Sequence, residues 1–157
     1  MTSVSTKKAM VYRFERETLA GFVDSGNPFE GGFVQFLNRE GVVQNLPIDQ
    51  IKHICFVREW LDQPPWPRNH YAVRPRQQGL WVRFRFKDGD SVEATMPNSL
   101  SALDPISIVA SPPEPAVGVQ KVLIPRAALE SFEVLGVVGS PLKKQKIAAK
   151  NQLSMFD

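Results

Sequence analysis

His53 and Cys55 are the residues of this chain whose types could supply a base and a nucleophile. They stand two apart in an extended stretch, on one strand face, with backbones about 7 Å apart. A cysteine nucleophile needs its base at hydrogen-bond distance beside an orienting group. The local sequence offers no such group, so Cys55 reads as structural. The only other histidine, His70, lies beyond a proline-rich stretch, which leaves no metal constellation and no cofactor to expect. A single cysteine excludes an internal disulfide and fits a reducing compartment. Gly31-Gly32 and Gly139 lack the strand-to-helix setting of a phosphate-cradling loop. The carboxylates are scattered through turns, with no pair spaced for acid–base work. The chain reads as a binding protein and not as an enzyme.

Nucleic-acid recognition is the second chemistry to weigh, because it needs stacking surfaces and several cations together. Trp81, Arg83 and Arg85 alternate onto one face of a strand pattern and could form a base-stacking platform with cation–π support. Their plainer role is the polar outer face of that strand. Lys52 and His53 read likewise as a solvent-facing lysine and a strand-face histidine. The net charge of +3 is mild, so the clusters Lys7-Lys8, Arg68/Arg74/Arg76 and Lys143/Lys144/Lys146/Lys150 matter more than the total.

The sharpest short signal is Gln152-Leu153-Ser154-Met155-Phe156. It resembles the peptide through which bacterial replication and repair proteins dock onto the DNA sliding clamp: Gln, Leu, a small or acidic residue, Leu or Met, then Phe. The resemblance implies that Gln152 sets register while Leu153, Met155 and Phe156 fill a pocket, with Ser154 between them. A lysine-bearing segment before it would serve as tether. The competing expectation packs Leu153, Met155 and Phe156 on the protein's own body or on a second copy.

These residues must be positioned by short strands. Thirteen prolines and ten glycines suit strands joined by turns better than helices. Residues 1–7 read as a disordered lead-in. Met10, Tyr12 and Phe14 alternate with Val11 and Arg13, predicting a strand with one buried face. Thr18 to Val23 predicts a second strand, closed by the turn Asp24-Ser25-Gly26-Asn27-Pro28. Gly32 to Leu37, Val42 to Leu46 and His53 to Val57 predict three more, with a helical turn over Ile48 to Lys52. Residues 61–78, rich in proline, form a stiff connector whose tryptophans could pack on the body. Then the pattern recurs. Val82-Arg83-Phe84-Arg85-Phe86, Ser91 to Met96, and Ile124-Pro125 to Leu135 repeat Met10 to Phe14, Thr18 to Val23, and Leu46-Pro47 to Val57. Tyr12-Arg13-Phe14 falls on Phe84-Arg85-Phe86, and Ile51, Ile54 and Phe56 fall on Leu129, Phe132 and Val134. Each copy spans about 55 residues, the size of a small domain.

Five short strands with a helical turn before the last is the order of an SH3-like barrel. Each copy resembles the Sm-like family, which includes the bacterial RNA chaperone Hfq. The residues that carry this are Thr18-Leu19-Ala20-Gly21-Phe22-Val23 with the Asp24 to Pro28 turn, and Ile51-Lys52-His53-Ile54, similar to a Lys-His pair near the last strand of Hfq. The resemblance implies an all-β chain of two tandem five-stranded barrels, over residues 8–60 and 79–137. Residues 138–157 are then a short C-terminal helix or tail. It implies Lys52 and His53 as nucleotide contacts. The Arg-Gly pair of the second Sm motif is missing from both copies, and Glu130-Ser131 stands where Lys52-His53 would recur.

Three functions follow as expectations. The first is an adaptor recruited to the sliding clamp by its tail. The second binds RNA or single-stranded DNA. The third is a homo-oligomeric interaction module built from exposed strands. The N-terminus lacks a run of signal-peptide length, and no segment approaches a membrane span, so the expected location is the cytoplasm, away from membranes.

Overall fold

Strands of alternating pattern punctuated by proline and glycine fold here into an all-β protein. The computed structural model describes residues 6–61, 66, 68–99, 104, 106–115 and 117–139. The first repeat contains β1 (Thr6–Arg13), β2 (Leu19–Asp24), a two-residue β3 (Phe29–Glu30), β4 (Phe33–Asn38), β5 (Val43–Pro47) and β6 (Ile51–Val57). The second contains β7 (Gly79–Phe86), β8 (Ser91–Met96), β9 (Ser107–Ala110), β10 (Val119–Pro125) and β11 (Leu129–Val138). Strand β1 begins inside the stretch read as a lead-in. The expected C-terminal helix and the tail 152–156 lie outside the described residues.

Two local devices recur in both repeats. A proline ends β5 and β10, and each is followed by one 3-10 turn, Ile48–Gln50 and Arg126–Ala128. Pro47 and Pro125 hold φ at −59° and −61°, which aims the chain into that turn, and the donor each lacks is not needed there. The following strand then bulges at the same place. Arg13 pairs with Ile51 and Tyr12 with His53, leaving Lys52 out of register. Phe86 pairs with Leu129 and Arg85 with Ser131, leaving Glu130 out.

That shared bulge corrects the alignment of the repeats by one residue. Val11 and Phe84, not Tyr12 and Phe84, take equivalent positions, opposite Ile54 and Phe132. The hydrophobic pattern misled because β1 is covered on both faces. Ala9 and Val11 are wholly buried in one core with Val23, Val34, Phe36, Ile51, Ile54 and Phe56. Met10 enters a second core, with Tyr12 and Phe14 packed against it, beside Cys55, Val82, Phe84, Phe86, Val122 and Ile124. A strand buried twice shows continuous apolar character, so alternation could not report which face was which.

The pairing order also recurs. β1 lies between β2 and β6, as β7 lies between β8 and β11. β4 pairs with β5, as β9 pairs with β10. The sheets nevertheless do not stop at the repeat boundary. β6 pairs antiparallel with β10, so one eight-stranded sheet runs through both repeats, and β7, β8 and β11 form a separate three-stranded sheet. The sequence implies an all-β chain of two tandem five-stranded barrels over residues 8–60 and 79–137; the chain is all-β, but its two repeats are joined by a shared backbone ladder and not only by a connector. In β2, a Cβ on Gly21 would overlap the Leu37 carbonyl and the Phe36 ring, so glycine permits the close approach of β4.

Candidate interaction surfaces

The joint between the repeats collects Lys52, His53 and Cys55 from among the residues whose types suggested chemistry. Lys52, set out of register by the bulge in β6, reaches across to the β7–β8 turn. Its Nζ lies 2.8 Å from Asp88 Oδ2 and also contacts Asp90. It sits 6.0 Å from the Phe14 ring centroid and 5.0 Å from that of Phe86. Burial by itself would lower the lysine's pKa, but the two carboxylates outweigh it and hold the pKa above its usual value. Burial likewise acts to raise Asp88, and the bonds from Lys52 and from backbone amides bring its pKa below the ordinary carboxylate value.

His53, the next residue along β6, is only 8% exposed. Its ring stacks against Tyr12 at 4.5 Å between centroids and meets Trp66 and Phe86 at 5.6 and 6.3 Å. Nδ1 has no hydrogen-bond partner among the described residues. Burial first, and the nearby charge of Lys52 second, lower its pKa to about 3, so the ring is neutral. Cys55 is fully buried on the same face, and burial pushes its thiol up to about 12. Burial holds the thiol protonated, and among the described residues it makes a weak contact with the Phe56 carbonyl, 4.0 Å away, and not with His53.

A second hub, which the sequence reading missed, is Glu93 in β8. Its side chain is 8% exposed, and Oε1 accepts from the Trp81 indole at 3.0 Å and from the Tyr71 amide at 3.3 Å. Oε2 lies 3.0 Å from His70 Nδ1, and the Glu93 backbone carbonyl accepts from the Trp66 indole at 3.3 Å. Burial acts to raise this carboxyl, but the Trp81, His70 and Tyr71 bonds win and leave its pKa below the ordinary value. Glu93 thus ties the connector down onto the second repeat. The available signal was a lone acid between Val92 and Ala94 in an otherwise uncharged strand, which demands buried partners.

The proposed stacking platform on β7 is partly engaged in the same way. Trp81 is held by Glu93, with the Arg74 guanidinium 6.0 Å from its ring centroid. Arg83 bonds Glu133 at 3.1 Å, while Arg85 is exposed. Lys52 and His53 belong to the joint and not to this face.

Two other surfaces emerge only from the tertiary structure. An open cleft of about 480 Å³ lies at one end of the β6–β10 ladder, edged by Lys7, Arg58 and Lys121 with Ser25 and Gln120. The second surface is a pair of strand edges. Among the described residues, β5 is paired only with β4 and β11 only with β7. Both edges carry exposed apolar side chains, Val42 and Val43 at one and Phe132, Val134 and Val137 at the other.

Among the described residues no group of three or more His, Cys, Asp or Glu is placed to hold a metal ion, and no helix is long and apolar enough to cross a membrane. The chain belongs to a family of unknown function (DUF6982), whose model matches residues 5–136. The match covers both repeats and ends before the tail. No curated protein and no solved structure matches the chain.

Proposed function

We propose that this protein is a non-catalytic adaptor, a β body of two joined repeats that its tail recruits to a bacterial-type DNA sliding clamp. The observation that carries the reading is the pentapeptide Gln152-Leu153-Ser154-Met155-Phe156, in which one polar residue and three apolar anchors match the clamp-docking pattern. The chemistry of the body supports the non-catalytic half. The imidazole of His53 is buried and neutral, the thiol of Cys55 is buried and protonated, and the carboxylates of Asp88 and Glu93 are engaged in tying the repeats and the connector together. The test is binding of the full chain to purified clamp. Phe156→Ala is expected to abolish it, because an anchor of this type carries 2 kcal/mol or more, about thirtyfold or greater. Binding that survives the substitution, or is absent from the parent protein, refutes the reading.

A second reading, binding of RNA or single-stranded DNA, is favoured by the cleft edged by Lys7, Arg58 and Lys121. It requires binding that weakens steeply as salt rises, because phosphate neutralisation releases counterions. Arg58→Ala together with Lys121→Ala should flatten that slope; an unchanged slope removes the cleft from consideration.

A further inference from the structure

We infer that copies of this chain associate head to tail, the free edge of β11 in one copy adding antiparallel to the free edge of β5 in the next. The inference stands on the register of the repeats and is independent of the adaptor reading.

The internal joint supplies the template. The shared bulge makes Ile54, Cys55 and Phe56 of β6 equivalent to Phe132, Glu133 and Val134 of β11. The shared proline and 3-10 turn make Leu123, Val122 and Lys121 of β10 equivalent to Asn45, Gln44 and Val43 of β5. Inside the chain β6 meets β10 as Ile54↔Leu123, Cys55↔Val122 and Phe56↔Lys121. The second repeat presents β11 as the first presents β6, and the first presents β5 as the second presents β10. The same union between copies pairs Phe132 with Asn45, Glu133 with Gln44, and Val134 with Val43.

The side chains fit that register. Val43 is 54% exposed and Val134 is 50% exposed, and the union places them opposite one another as an apolar cross-strand pair. Gln44 can donate its amide to the Glu133 carboxylate, and no like charges oppose one another across the ladder. Among the described residues, β5 over 43–45 and β11 over 132–134 have no further strand beside them, the usual template for strand addition, while nearer the end of β11 Arg74 donates to the Val137 carbonyl at 2.7 Å. A second copy is the occupant because this chain alone carries both halves of the union, in a register it already uses.

One element differs. Where Lys52 meets Asp88 and Asp90, the external union sets Glu130 against the turn Glu15-Arg16-Glu17. Arg16 is available to Glu130, but the two flanking acids oppose it. The contact is therefore weaker than the internal joint and reversible with concentration. Being heterologous, it builds closed rings if the rotation closes and open chains if it does not.

Sedimentation velocity of the full chain over a wide concentration range tests this. The mass should rise with concentration beyond one chain. Val43→Lys and Val134→Lys should each hold the chain monomeric, since a lysine blunts an exposed edge. Circular dichroism of each variant separates edge-blocking from misfolding. Mixing Val43→Lys with Val134→Lys should restore a dimer and nothing larger, because one intact edge remains on each. Glu130→Lys, which copies Lys52, should tighten association roughly threefold. A chain that stays monomeric at every concentration overturns the inference. So does association that folded edge variants leave intact, or a mixture of the two variants that does not dimerise.

Discussion

The covered joint and its open counterpart are built from equivalent residues and live in opposite environments. Phe56 of β6 is 1% exposed and Val134, its equivalent in β11, is 50% exposed. Cys55 is fully buried where Glu133 carries an acid on an exposed strand. The shared backbone plan persists, and the side chains record which edge has found a partner. A duplicated unit does not need two different folds to acquire two roles. One copy of an edge can be absorbed into a core while the other remains a surface.

The sharpest way to break this comparison is to truncate the equivalents. Phe56→Ala should cost about 3–5 kcal/mol in urea unfolding, the transfer loss plus a cavity shared by packed strands. Val134→Ala should change stability by less than about 0.5 kcal/mol at concentrations where the chain is monomeric. Similar costs at both positions would mean that β11 is as buried as β6 and that the distinction fails.

A smaller effect comes from pH, and its histidine and lysine parts belong to the joint. His53 has its pKa lowered from 6.5 to about 3 in the folded protein. The unfolded chain therefore takes up a proton first as pH falls below 6.5, and folding stability declines from that point towards pH 3. The slope is at most about 1.4 kcal/mol per pH unit for one such group. Asp88 and Glu93, whose pKa values are lowered, contribute stability above their unfolded values of 3.8 and 4.5 and lose it in acid. Lys52 works at the other end: its contribution is whole below 10.5 and fades as pH rises through its elevated folded value. His53→Leu should remove the decline between pH 6.5 and 4.5, read by unfolding at fixed pH values. A decline that survives the substitution would assign it to other groups. The smallest effect is the threefold gain expected of Glu130→Lys, which asks how far one charge separates the closed joint from the open one.

Much of the fold was legible. The strands other than β3 and β9, the Asp24 to Pro28 turn and the prolines before the last strand of each repeat all answer to local chemistry, and each stands where the pattern placed it within a few residues. The misplaced register of β1 came from its two buried faces, which erase the alternation that assigns a face. Lys52 and His53 read as nucleotide contacts or, more plainly, as a solvent-facing lysine and a strand-face histidine, and the structure sets them in the joint, one in an ion-pair cluster and one in an aromatic cage. Glu93 was passed over because a lone acid in a strand shows nothing of the Trp81, Tyr71 and His70 that surround it.

By itself the sequence determined the strand-and-turn grammar and the duplication, because both are written in side-chain type and spacing along the chain. Only the tertiary structure decided that β6 would join β10 and that β5 and β11 would be left open. Strand edges recognise one another through backbone amides and carbonyls, which every residue except proline carries in full. The choice of partner is therefore made by the packing of whole repeats and not by any local run of residues.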